Sequence, residues 1–151
     1  MKNKSTGFTL IELAVVIVVL GILAATALPR FVNMQVQARQ GKLSGALGAV
    51  RASSALAHAA CITSTPVCAA TQNMDGTNVT MVNTYPTADG NGIVAAAQID
   101  GADYGITGGG AAAGDTVTVS VPGSTTCSFT YRASTAANTA PVITVVSNTC
   151  T

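Results

Sequence analysis

Few side chains in this sequence are equipped for chemistry, and one of them stands where its chemistry is costly. Of the six acidic residues, five are aspartates at 75, 89, 100, 103 and 115, while Glu12 interrupts an apolar run from Phe8 to Leu28. A carboxylate taken out of water must be protonated, paired or hydrogen-bonded. A positive amine brought to it by another molecule would suit a dry, packed setting, and such a pair penalises misregistered docking. The other reactive types are sparse: one histidine, His58, and four cysteines, Cys61, Cys68, Cys127 and Cys150. No Ser/His/Asp or Cys/His grouping carries a signature of nucleophilic catalysis. His58 does not complete a zinc set with cysteines at this spacing. Residues 105–114, GITGGGAAAG, lack the Lys-Ser/Thr of a phosphate loop. Asp100 and Asp103 are expected to be solvated loop charges rather than part of a calcium site. The expectation is a chain that is not an enzyme and holds no metal or cofactor.

The element that must carry Glu12 is a helix. From Phe8 to Leu28 every other residue is apolar or small and uncharged, and such a stretch at helical rise spans roughly 31 Å, the thickness of a bilayer's hydrocarbon. Lys2 and Lys4 precede it, so the positive-inside rule keeps the start of the chain in the cytoplasm and exports the rest. The basic segment is very short, and the apolar run is too long for an ordinary signal core. Any cleavage that spares the anchor must fall before Phe8. Gly21 and Pro29 both weaken a helix, the first by about 1 kcal/mol against Ala and the second by removing a donor.

Gly7-Phe8-Thr9-Leu10-Ile11-Glu12-Leu13, followed by the apolar run and Pro29, resembles the class III signal of type IV pilins and pseudopilins. The match is close over roughly residues 1–45. The resemblance implies cleavage between Gly7 and Phe8 by a prepilin peptidase, N-methylation of the new Phe8 terminus, and a contact between Glu12 and the Phe8 amine of a neighbouring subunit. It also implies that the Gly21–Pro29 segment can lose helical hydrogen bonding in a filament, while the membrane-bound monomer keeps a continuous or kinked helix. Pro29-Arg30-Phe31, and Tyr85-Pro86 with the run after it, further resemble the mannose-sensitive haemagglutinin pilin subgroup.

Beyond Pro29 the pattern turns amphipathic. Val36, Leu43, Leu47 and Val50 fall near one helical face, and the helix is expected to run to about residue 60. His58, near its end, is expected to be a surface or interface residue. Four cysteines in an exported domain read as two disulfides. Three pairings exist; the expected one joins Cys61 to Cys68 around Pro66 and Cys127 to Cys150. Residues 69–91, rich in Thr, Asn, Asp, Gly and Pro, read as turns. Gly92–Ile99 reads as one or two helical turns capped by Asn91, and 105–114 as a flexible connection. Residues 116–121, 127–132 and 141–146 alternate apolar with polar and read as an antiparallel meander.

The expected fold class is therefore α+β: a long N-terminal helix whose C-terminal half packs on a small antiparallel β-sheet domain. The expected divisions are a leader at 1–7, a membrane or filament-core half-helix at 8–29, and an amphipathic half at 30–60. They continue with an irregular, disulfide-closed connection at 61–115 and a meander at 116–151. The net charge of +1, with Arg132 alone as a basic residue beyond the helix, excludes a nucleic-acid footprint. The expected function is a structural subunit of a type IV pilus for adhesion, aggregation or motility. Its partners would be copies of itself in a helical filament, the prepilin peptidase and the pilus assembly machinery. It would reside in the bacterial inner membrane as a precursor and then outside the cell. A pseudopilin of a type II secretion piston is the alternative from another class, and a minor pilin for DNA uptake is a weaker one for want of a basic patch.

Overall fold

Alternation of valine with threonine and serine over Thr116–Ser120 puts Val117 and Val119 on one face, and both are fully buried. Cys127, Phe129 and Tyr131 line the matching face of the next strand and are likewise buried. The computed structural model describes residues 7–64, 70–137 and 139–151, without the side chains of 28–30 and 32. Among these residues the order is α1 (Leu10–Thr63), β1 (Thr71–Met74), β2 (Thr77–Val82), β3 (Tyr85–Pro86), a wide helical turn (Gly90–Val94), β4 (Gly105–Gly108), β5 (Thr116–Ser120), β6 (Cys127–Arg132) and β7 (Val142–Asn148). The chain divides into two units at residues 35 and 36.

The second unit is α+β. Its larger sheet has the order β4-β5-β6-β7, antiparallel throughout, with Val117 opposite Tyr131 and Val119 opposite Phe129. Across β6 and β7 the register slips between Ser128, opposite Ser147, and Phe129, opposite Val145, so Val146 is the extra residue of a bulge. Leu43, Ala46 and Val50 of α1 are buried with Val117, Val119, Phe129 and Tyr131 in one core, and Val36 and Leu47 pack against it. These positions recur at helical spacing, so one stripe of α1 lies on the sheet. Farther along the same stripe, Ala57 and Cys61 join Val79 and Met81 of β2 in a second, smaller core.

Four expectations are corrected. The segment 69–91 is not all turn: it holds β1, β2 and β3 in a three-stranded antiparallel sheet. Its two hairpins close with two-residue loops, Asp75-Gly76 and Asn83-Thr84, in which all four φ angles are positive (48°, 81°, 51° and 74°). That is the turn geometry whose twist matches paired strands. Threonine-rich polar strands hide in a composition that otherwise signals loops. The start of the 105–114 connection is the edge strand β4, where the absence of a side chain at Gly105 lets Ser120 approach. The Ser120 hydroxyl donates to the Gly105 carbonyl at 3.1 Å. The helical turn begins after Asp89 rather than Asn91 and is widened at Gly92, where a Cβ would collide with the carbonyl and hydroxyl oxygens of Thr87. Helix α1 also ends three residues later than expected, at Thr63.

Tyr131 ties the two sheets together. Its hydroxyl donates to the Pro86 carbonyl at 2.8 Å, and burial pushes its phenol well above the ordinary range. A raised folded-state pKa for an acid means that the unfolded chain loses its proton first. The stability linked to Tyr131 is then fully present below about pH 10 and falls above it, with a limiting slope of about 1.4 kcal/mol per pH unit. Urea unfolding between pH 8 and 11.5 is expected to show this alkaline loss. The Tyr131→Phe variant is expected to start less stable and to lose the part of the slope that belongs to Tyr131.

Candidate assembly site

The first unit contains the carboxylate singled out above. Helix α1 begins at Leu10, so Thr9 is its N-cap and Glu12 its third residue. The Thr9 backbone N–H donates to Glu12 Oε2 at 2.9 Å, and the Thr9 hydroxyl donates to the same oxygen at 2.7 Å. The Glu12 N–H donates back to Thr9 Oγ1 at 3.3 Å. The Thr9 carbonyl accepts the backbone bond from Leu13 at 3.3 Å. This is a reciprocal capping box. Sequence reasoning missed it, although Thr9-Leu10-Ile11-Glu12 spells the S/T-x-x-E pattern. Glutamate so close to a helix N-terminus also suits the helix dipole.

Phe8, Ile11, Glu12, Val15 and Val16 line a shallow hollow of about 360 Å³. The wall is apolar apart from the carboxylate. Gly7, Phe8 and Thr9 lie outside the helix and are exposed, with Phe8 87% exposed. From Leu10 to Ala27 the helix is long and apolar enough to cross a membrane, and nothing among the described residues covers it. Gly21 is exposed within α1 and a Cβ there would meet nothing. The backbone of α1 takes in both Gly21 and Pro29.

The remaining candidates fall in the second unit, each placed there by different elements. Cys127, at the start of β6, and Cys150, after β7, form a disulfide with their Cα atoms 4.4 Å apart. Closing a loop between residues 23 apart in sequence stabilises by about 3 kcal/mol, chiefly by restricting the unfolded chain. Arg39 and Gln40 of α1 reach the same end of the chain, donating to the Cys150 carbonyl at 3.4 Å and the Asn148 carbonyl at 2.9 Å. Cys61 is fully buried, and its expected partner Cys68 lies outside the described residues. Asp100 and Asp103 do not converge on a common point: Asp100 accepts from the Ala102 N–H at 2.8 Å, while Asp103 pairs with Lys42 at 3.1 Å. Among the described residues no three His, Cys, Asp or Glu side chains cluster as metal ligands. His58 stacks on Tyr85 with ring centroids 4.1 Å apart, and its Nδ1 lies 3.1 Å from the Thr84 carbonyl. No local signal in the sequence announces that stack.

Residues 2–28 match the family of the prokaryotic N-terminal methylation motif. Over 54 residues the chain is 52% identical to the type IV narrow pilus major component PilA5 of Thermus thermophilus, covering 36% of this chain and 47% of that one. It is 46% identical over 39 residues to the type IV major pilin protein PilA of Myxococcus xanthus, covering 26% and 18%. It is 39% identical over 51 residues to the type IV major fimbrial protein FimA of Dichelobacter nodosus, covering 34% and 33%. The chain thus matches less than half the length of each of these relatives. No solved structure matches it. The motif and the relatives agree with the resemblance to type IV pilins carried by residues 7–29, and they do not single out the mannose-sensitive haemagglutinin subgroup.

Proposed function

We propose that this chain is a structural subunit that polymerises through its N-terminal helix into a type IV pilus. One observation carries the reading: the methylation motif at residues 2–28 coincides with an uncovered apolar helix holding a single carboxylate at Glu12. Lipid covers that helix while the subunit is stored in the inner membrane, and other copies cover it in the filament. Residues 1–7 are the leader, cut from Phe8 by a prepilin peptidase. The new Phe8 amine is N-methylated and meets Glu12 of a neighbouring copy, an oppositely charged pair worth most where water is excluded. Gly21 and Pro29 mark the part of the helix that opens when the filament stretches. Freed backbone groups there are tolerable only within packed protein.

The second unit, from residue 36 on, forms the filament's outer surface and meets whatever the pilus adheres to. Residues 30–60 carry the stripe that holds it, 61–115 hold the three-stranded sheet and the edge strand of the larger one, and 116–151 the other three strands of the larger sheet. Adhesion, aggregation or motility are the roles such a surface filament serves. The likeness to a narrow pilus major component and a major fimbrial protein supports the reading of a pilus subunit.

Filaments sheared from cells that express the chain test this. Negative-stain microscopy is expected to show long extracellular filaments, and mass spectrometry of their subunit a chain beginning at N-methylated Phe8. Confinement of the chain to membranes with residues 1–7 still attached would refute the proposal. Short periplasmic assemblies would favour the secretion piston.

A further inference from the structure

We propose that Thr9 is a positioning residue for assembly: it holds the Glu12 carboxylate while the chain lies in lipid and leaves one oxygen for the neighbouring amine. The inference rests on the assembly role of Glu12 proposed above and adds a residue to it. In hydrocarbon no water can satisfy the carboxylate, and an unsatisfied polar group there is costly. Thr9 supplies two donors, its N–H and its hydroxyl, and both reach Glu12 Oε2. The hydroxyl oxygen is itself occupied by the Glu12 N–H, which aims its single proton at the carboxylate. Turning Glu12 to another rotamer would break both bonds to Oε2.

These bonds use one carboxylate oxygen, so a further donor would meet Oε1. They also hold the group in the wall of the hollow that Phe8, Ile11, Val15 and Val16 complete. That hollow is an apolar surface with one polar point, and a second copy bearing an apolar helix and a terminal amine is complementary to it. Docking then needs no rotation of Glu12 and no loss of its existing donors. Pre-organisation of this kind lowers the ordering cost of association.

The test separates donating from capping. Thr9→Ser keeps both the N-cap and the hydroxyl donor. Thr9→Val loses both. Thr9→Gly keeps a favoured N-cap residue but has no hydroxyl to donate to a carboxylate. Each is placed in the full chain, and filament yield is measured per cleaved chain in the membrane fraction, so that a processing defect is divided out. Thr9→Ser is expected to stay within about twofold of the parent, while Thr9→Val and Thr9→Gly each fall by about tenfold, the scale of losing a hydrogen bond to a charged group. Parental yield from Thr9→Val would overturn the proposal. So would full yield from Thr9→Gly, since capping alone would then suffice. If Thr9→Val is not retained in membranes, Thr9→Ala takes its place with the same expected fall, and parental yield from it counts equally against the proposal. Failure of the parent chain itself to form filaments would refute the assembly role of Glu12 instead.

Discussion

Replacing Glu12 with valine is expected to abolish filament assembly while leaving the chain in the membrane. The two halves of this outcome have opposite physical signs. In lipid, the valine removes a carboxylate that costs up to about 3 kcal/mol at the bilayer centre and less near the headgroups, so insertion does not suffer. In the proposed filament, it would remove one partner of a charge pair in a packed, dry contact and leave the Phe8 amine of the neighbour uncompensated. Truncating one member of such a pair costs about 2–5 kcal/mol. At 1.4 kcal/mol per factor of ten, a loss of about 3 kcal/mol lowers each docking equilibrium about 100-fold. A polymer repeats that loss at every subunit. Immunoblots of sheared filaments and of membranes check both halves: the filament fraction is expected to fall below detection with the membrane fraction unchanged. Parental filament yield would show that Glu12 does no more than cap its own helix. Glu12→Gln is expected to lie between the two, because an amide oxygen still accepts from Thr9 but carries no charge.

The second large effect is expected in the other unit. Phe129 is fully buried, opposite Val119 on one side and Val145 on the other, in the core that includes Leu43 and Val50 of α1. Phe129→Ala is expected to destabilise this unit by about 3–5 kcal/mol through lost transfer energy and the cavity left behind. Domains of this size hold only about 5–15 kcal/mol in all. Urea titration followed by far-ultraviolet circular dichroism, with the Cys127–Cys150 disulfide intact, measures the shift. Leu56, on the same helix but 63% exposed, is the control. Leu56→Ala is expected to change stability by no more than about 0.5 kcal/mol. Equal effects at the two sites would mean that α1 does not lie on the sheet by the stripe described.

The contrast between these two residues also marks what the sequence made legible. Glu12 stands out because its type conflicts with the twenty apolar or small neighbours around it, and a conflict between residue and solvent is visible without a structure. Val117, Val119, Phe129 and Tyr131 were legible for a different reason: strict alternation leaves only one arrangement with the apolar side inward. The stripe on α1 was legible through Leu43 and Val50, which are buried as their spacing requires. The strands β1 to β4 were not, because threonine, asparagine and glycine serve turns and polar strands alike. There, pairing across Asp75-Gly76 and Asn83-Thr84 decides the structure, and pairing is a property of two segments at once. The capping box was legible and overlooked: Thr9 lies three residues before Glu12, where a helix start places it. The stack of His58 on Tyr85 depends on where α1 meets the β2–β3 turn, which no local pattern encodes.

The N-terminal helix is the proposed assembly surface, with Glu12 setting its register. A cryo-electron microscopy map of native filaments tests it most directly. The expected map shows N-terminal helices of this chain packed along the filament core, each Glu12 carboxylate within hydrogen-bonding distance of a neighbouring copy's Phe8 amine. Filaments built from this chain in which Glu12 faces solvent or lies remote from every Phe8 would contradict it.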